Sequence, residues 1–154
     1  MSPRSILITG CNRGIGLELV KQYMKLDPPP THLLATYRDP ESSEELLKLA
    51  KDNAGLKALK FDVAKRDTFA SFVKEVSDVV GIEIGLNLVI HNAGYMAPNR
   101  ELEKISPEDM IQSFEVNCVG PLFLTRYLLI KLFSIFCMFL VLPPTRFLQF
   151  YELK

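Results

Sequence analysis

Along most of this chain, short apolar runs alternate with stretches whose apolar residues recur every three or four positions. Residues 4–9, 32–37, 56–63 and 86–91 read as strands. The first contains Ile6-Leu7-Ile8, apolar without alternation, as expected of a parallel strand covered on both faces. A helix is predicted over 14–26, with Ile15, Leu19, Tyr23 and Leu26 near helical spacing, and Pro28-Pro29-Pro30 ends it. A second covers 41–53 with a Leu46/Leu49/Ala50 face, closed by Asn53-Ala54-Gly55. A third carries Phe69, Phe72, Val73, Val76, Val79 and Val80, with Asp67 as its expected cap. Ser106-Pro107-Glu108-Asp109 opens a fourth, with an N-cap serine, proline at the first helical position and acids in the first turn. This order predicts an α/β domain, a doubly wound parallel sheet with right-handed crossovers and helices on both faces. Ligands of such sheets bind outside the carboxyl ends of the strands, at the switch point between the first and fourth.

The chemistry concentrates there. Thr9-Gly10-Cys11-Asn12-Arg13-Gly14-Ile15-Gly16 joins the first strand to the first helix, with glycines at relative positions 1, 5 and 7. Gly10 permits a tight turn, Gly14 a close backbone approach to a ligand, and Gly16 close helix–strand packing. The first amides of the helix lack internal partners, and the helix dipole adds partial positive charge, so a pyrophosphate suits the spot. Arg38 follows the second strand, where an NAD site usually places Asp or Glu against the ribose 2′-hydroxyl. A guanidinium suits a 2′-phosphate, so NADP is expected in preference to NAD; Asp39, one residue on, keeps NAD open. Asp62-Val63 ends the third strand and Asn92-Ala93-Gly94 follows the fourth, where small residues let a cofactor pass. Asn117, in Asn117-Cys118-Val119-Gly120, shares a helix face with Met110, Phe114, Cys118 and Pro121, and so needs hydrogen-bond partners.

Thr-Gly-x-x-x-Gly-Ile-Gly, Asn-Ala-Gly and Asn-x-x-Gly in this order resemble the short-chain dehydrogenase/reductase family over residues 4 to 130. The glycine turn further resembles the carbonyl reductases grouped with Sniffer and the bacterial C-factor. The resemblance implies a three-layer Rossmann fold, and an oxidoreductase that passes a hydride between a nicotinamide cofactor and a small carbonyl or alcohol. It implies cofactor binding by Thr9, Gly10, Asn12, Arg13, Gly14, Ile15, Gly16, Arg38, Asp62, Val63, Asn92, Ala93 and Gly94. It makes Asn117 the catalytic residue of the set, holding a water in a proton relay, and it borders the adenine with Asp62-Val63. His91 stands where the family carries asparagine, and is expected to be a core residue rather than a general base.

The family's serine, followed by Tyr-x-x-x-Lys, is missing after Asn117. Tyr127 and Lys131 have the right spacing but begin only ten residues after Asn117, with no room for a strand between. Tyr151 and Lys154 are three apart rather than four, and Ser134 lies inside an apolar run. That run, residues 132–142, ends at Pro143-Pro144 and is too short to span a bilayer, which takes about 20 residues. The expectation is therefore a dinucleotide-binding domain over 1–131, its later strands missing, followed by a hydrophobic tail over 132–154 that belongs to the same domain, replaces the fifth strand or stays unstructured. Truncation or alternative splicing near Lys131 would produce this pattern. Two functions lead, an NADP-dependent oxidoreductase impaired in catalysis or a non-catalytic product that binds cofactor or pairs with a full-length relative through the Asn117 helix, with a membrane-associated fragment as a third.

Composition changes this picture only by exclusion. Lys plus Arg and Asp plus Glu number 18 each, without the basic excess of a nucleic-acid binder. Cys11, Cys118 and Cys137 are widely spaced, which suits reduced thiols and a cytoplasmic setting. No metal site and no membrane insertion are expected.

Overall fold

A computed structural model of the chain describes residues 3–81, 84–98, 102–131, 138–141 and 149–151. The strands are β1 (Ser5–Ile8), β2 (His32–Tyr37), β3 (Leu56–Lys60), β4 (Leu88–His91), β5 (Met138–Val141) and β6 (Gln149–Tyr151). The helices are α1 (Gly14–Met24), α2 (Glu44–Asp52), α3 (Phe69–Val80), α4 (Pro107–Phe114) and α5 (Gly120–Lys131). The sheet runs β3-β2-β1-β4-β5-β6, parallel through β5, with β6 antiparallel to β5.

The apolar runs are explained by burial on both faces. Successive residues point to opposite sides of a strand, and here both sides are covered. Ile6, Ile8, Leu33, Ala35, Leu88 and Ile90 pack with Leu17 and Val20 of α1 and Leu46 of α2. Leu7, Leu34 and Val89 pack with Phe69, Phe72, Val73 and Val76 of α3 and with Leu124 and Leu128 of α5. This is the three-layer, doubly wound arrangement.

Several local expectations change. In α1 the buried positions are Gly16, Leu17 and Val20, while Ile15 is 68% exposed. Asp67 does not cap α3: residues Arg66–Thr68 form a 3-10 turn, and Thr68 directs its hydroxyl to the Lys65 carbonyl at 2.7 Å. Asn117 does not share the exposed face of Met110, Phe114 and Cys118. A π-helical turn at Glu115–Val119 inserts one residue and re-phases the helix. Met110, Phe114 and Cys118 consequently stay exposed, Pro121 is buried, and Asn117 turns inward. In the tail, the backbone of Met138–Val141 runs parallel beside β4, the replacement of the fifth strand that was one of the arrangements expected of it. Ser134, Cys137 and Lys154 lie outside the described residues. Among the described residues, no helix is long and apolar enough to cross a membrane.

His91 ends β4, 2% exposed, with Nε2 2.9 Å from the Thr125 hydroxyl of α5. Burial pushes its pKa down to about 4, so the ring is neutral at pH 7 and serves the core. In the unfolded chain the same ring titrates near 6.5. Between these values the unfolded state binds the extra proton, so this contribution to stability is complete above about pH 6.5 and is lost as pH falls toward 4. Lowering the pH from 7 to 5 is expected to cost about 2 kcal/mol through this ring. Urea midpoints for the wild type and His91→Asn at both pH values measure it; the same pH response in both proteins would refute it.

Candidate dinucleotide site at the carboxyl edge of the sheet

The site grows out of the bend after β1, which the protein's own polar groups brace. Thr9 Oγ1 accepts from the amides of Asn92 (3.1 Å) and Ala93 (3.0 Å). Asn92 Nδ2 donates to the carbonyls of Thr9 (2.9 Å) and Gly10 (2.8 Å). The Gly10 amide reaches the Thr36 hydroxyl at 3.1 Å, and the Cys11 amide the Thr36 carbonyl at 2.7 Å. The ends of β1, β2 and β4 are thus tied together. Gly10 has φ +70°, and a Cβ there would lie 2.7 Å from Ala93 Cα, so only glycine fits. Cys11 is buried, its thiol near the Ile8 carbonyl, and burial raises its pKa to about 12, so it is no nucleophile.

Beyond Cys11 the chain turns outward. Arg13 is extended and caps α1 without any side-chain hydrogen bond, and the first turn carries no acidic residue. Leu17 N is the first amide bonded back along the helix, to Arg13 O at 3.5 Å, so the amides of Gly14, Ile15 and Gly16 have no intrahelical acceptor. Gly14 has φ +59°, and a Cβ there would meet nothing within 4 Å. α4 begins at the same edge and is closed: Ser106 Oγ accepts from the Asp109 amide (3.1 Å), and Asp109 Oδ2 takes the Ser106 hydroxyl (2.9 Å). Of these two helix starts, α1 alone is left for an external anion.

Asn117 reaches across to the loop after β4. Its Oδ1 accepts from the Tyr95 amide and its Nδ2 donates to the Tyr95 carbonyl, each at 2.8 Å. The Tyr95 hydroxyl donates to Asp109 Oδ1 at 2.9 Å. That bond raises the tyrosine's pKa and, with Ser106, lowers that of Asp109. Gly120 lets the helix close on the turn after β3, since a Cβ there would sit 2.7 Å from the Val63 carbonyl. Asp62 Oδ1 accepts from the Ala64 amide at 3.0 Å.

The structure therefore brings Thr9 to Gly16, Asp62, Val63, Asn92 to Gly94 and Asn117 to one edge. Arg13 and Arg38 are exposed there, in no ion pair among the described residues. Tyr127 instead sets its ring edge-on to Phe69, 6.1 Å between centroids. Sequence reasoning passed over Tyr95 and Thr36. Tyr95 directly follows Asn-Ala-Gly, but what holds it lies 14 and 22 residues away.

Comparison with known proteins agrees with this fold. A family model described as short chain dehydrogenase matches residues 4–134. A short chain dehydrogenase, gsfK, of Penicillium aethiopicum is 34% identical over 120 residues, 77% of this chain and 46% of that protein. The mouse 17-beta-hydroxysteroid dehydrogenase type 6 is 31% identical over 78% of this chain and 36% of its own length. Among solved structures, the carbonyl reductase Sniffer of D. melanogaster has a TM-score of 0.79 at 34% identity, covering 84% of this chain and 52% of that one. An NADPH-bound carbonyl reductase from chicken fatty liver gives 0.79 and 34%, over 85% and 52%. The chain spans about half the length of these proteins or less.

Proposed function

Because this chain belongs to the short-chain dehydrogenase family, we propose that it binds a nicotinamide dinucleotide, NADP in preference to NAD, and does not itself turn over a carbonyl. The observation that carries the first half is the uncapped start of α1, three amides and an open Gly14 beside a bend braced by Asn92. These amides take the diphosphate, with the helix dipole behind them. Arg13 and Arg38 take the 2′-phosphate, Asp62 and Val63 border the adenine, and Asn92 to Gly94 form the small-residue floor over which the cofactor passes. Asn117 holds that floor by its grip on Tyr95.

When bound, the cofactor supplies a hydride to a carbonyl carbon; a proton must then reach the oxygen. Within these 154 residues no Ser followed by Tyr-x-x-x-Lys stands after Asn117 to supply it, and Tyr127 is turned against Phe69. The Tyr95 hydroxyl is committed to Asp109, which keeps its proton in place. Titrating the purified chain with NADPH and NADH by fluorescence, then adding a panel of aldehydes and ketones to the NADPH complex, tests both halves. NADPH should bind more tightly than NADH, and no carbonyl should speed its oxidation. Binding of neither nucleotide would remove the first half, and carbonyl-dependent oxidation the second.

A further inference from the structure

A groove of about 360 Å³ opens between the end of β3 and the start of α3. Arg38, Lys60 and Lys65 line it together. All three stand at the carboxyl edge: Arg38 just after β2, Lys60 as the last residue of β3, Lys65 in the following turn. None takes part in an ion pair among the described residues, although Asp62 and Glu75 line the same groove. Asp62 has one oxygen held by the Ala64 amide. Glu75 lies seven residues beyond Thr68, about 10 Å further down α3 and away from the edge. The mouth of the groove therefore carries three cations against one carboxylate. β3 is an edge strand, and a lysine on such a strand discourages pairing with another sheet. That reason covers Lys57 and reaches Lys60, but not Lys65, which is off the strand. The floor is rigid, with Phe61 and Phe72 buried and stacked 3.8 Å apart.

We propose that Lys60 and Lys65 are specificity-determining residues that extend the field of Arg38 toward the ribose end of the dinucleotide, selecting NADP by its additional 2′-phosphate. The proposal rests on the dinucleotide reading above. The lysines act through the potential at the groove mouth, so their effect is strongest at low salt, where the screening length is long.

The test is the double variant Lys60→Gln/Lys65→Gln, both exposed positions whose replacement leaves the core untouched. Dissociation constants for NADPH and NADH are measured at about 20 mM and 500 mM salt. The variant is expected to lose about tenfold in NADPH affinity at low salt and less than about twofold in NADH affinity, with the difference collapsing at high salt. An unchanged NADPH-to-NADH ratio at low salt, or equal losses for both, overturns the proposal while leaving the cofactor site intact. A wild-type chain that binds neither nucleotide overturns both.

Discussion

Replacing Gly16 with alanine is expected to lower the stability of the fold by about 3 kcal/mol and to abolish measurable dinucleotide binding. Helix propensity points the other way, since alanine in place of a helical glycine gains up to about 1 kcal/mol. Backbone strain is not the reason either, because Gly16 has no positive φ. The cost is steric. A Cβ there would overlap the Gly10 carbonyl oxygen and Asn92 Nδ2, and neither can yield. The Gly10 carbonyl is the acceptor of the Asn92 amide, and that amide is also held by the Thr9 carbonyl. α1 must therefore shift off the strand ends, carrying its unpaired amides out of register with the bend. Gly14→Ala is the control. Its left-handed backbone costs about 1–2 kcal/mol with a side chain, but there is nothing to collide with. It should fold, and lose binding because the methyl group projects into the open space proposed for the phosphates. Urea midpoints and NADPH titrations of both variants measure the outcome. A Gly16→Ala protein as stable as the wild type would refute the packing account.

The second large effect is expected at Asn117. Asn117→Ala removes both bonds to the Tyr95 backbone and leaves a partly buried amide and carbonyl unsatisfied, a loss of about 2–3 kcal/mol. NADPH affinity should fall with it, since among the described residues the segment Asn92 to Tyr95 is then held at its β1 end and through the Tyr95 hydroxyl. Asn117→Asp separates the two halves of the contact. Its carboxylate still accepts from the Tyr95 amide but faces the Tyr95 carbonyl with nothing to donate. It should be at least as damaging as alanine at pH 7 and recover as pH falls toward 4, where a protonated carboxyl regains a donor. Chemical denaturation of the three proteins across this pH range, with each variant's response compared with that of the wild type, decides the matter. A loss at Asn117→Asp that does not ease on acidification would contradict the bidentate role.

Much of the frame was legible in the chain. The apolar runs alternate with helical periods, and Ser106-Pro107-Glu108-Asp109 forms the helix start that its spelling predicts. The glycine turn sits where β1 meets α1, and Gly10 and Gly16 fill the turn and packing roles their positions implied. These features are local: each depends on residues within one or two turns of one another, so the sequence displays them side by side.

The rest depends on contacts between residues distant in the chain, which leave no periodic trace. A single residue inserted at Glu115–Val119 rotates everything after it on the helix, and no count of threes and fours reveals the slip. That slip is what turns Asn117 toward Tyr95, 22 residues back, rather than along the stripe of Met110 and Phe114. Asn92 reads from sequence as part of a small-residue loop, yet it is the clamp on the bend 82 residues earlier. The chain by itself determined β1 to β4, α1 to α4 and a helix start with unpaired amides after the first glycine, because hydrogen-bonding needs and burial fix those choices within a few residues. Only the folded sheet decided which side chains brace that spot and which cations share its groove, because it alone sets the distance between one strand's end and the next.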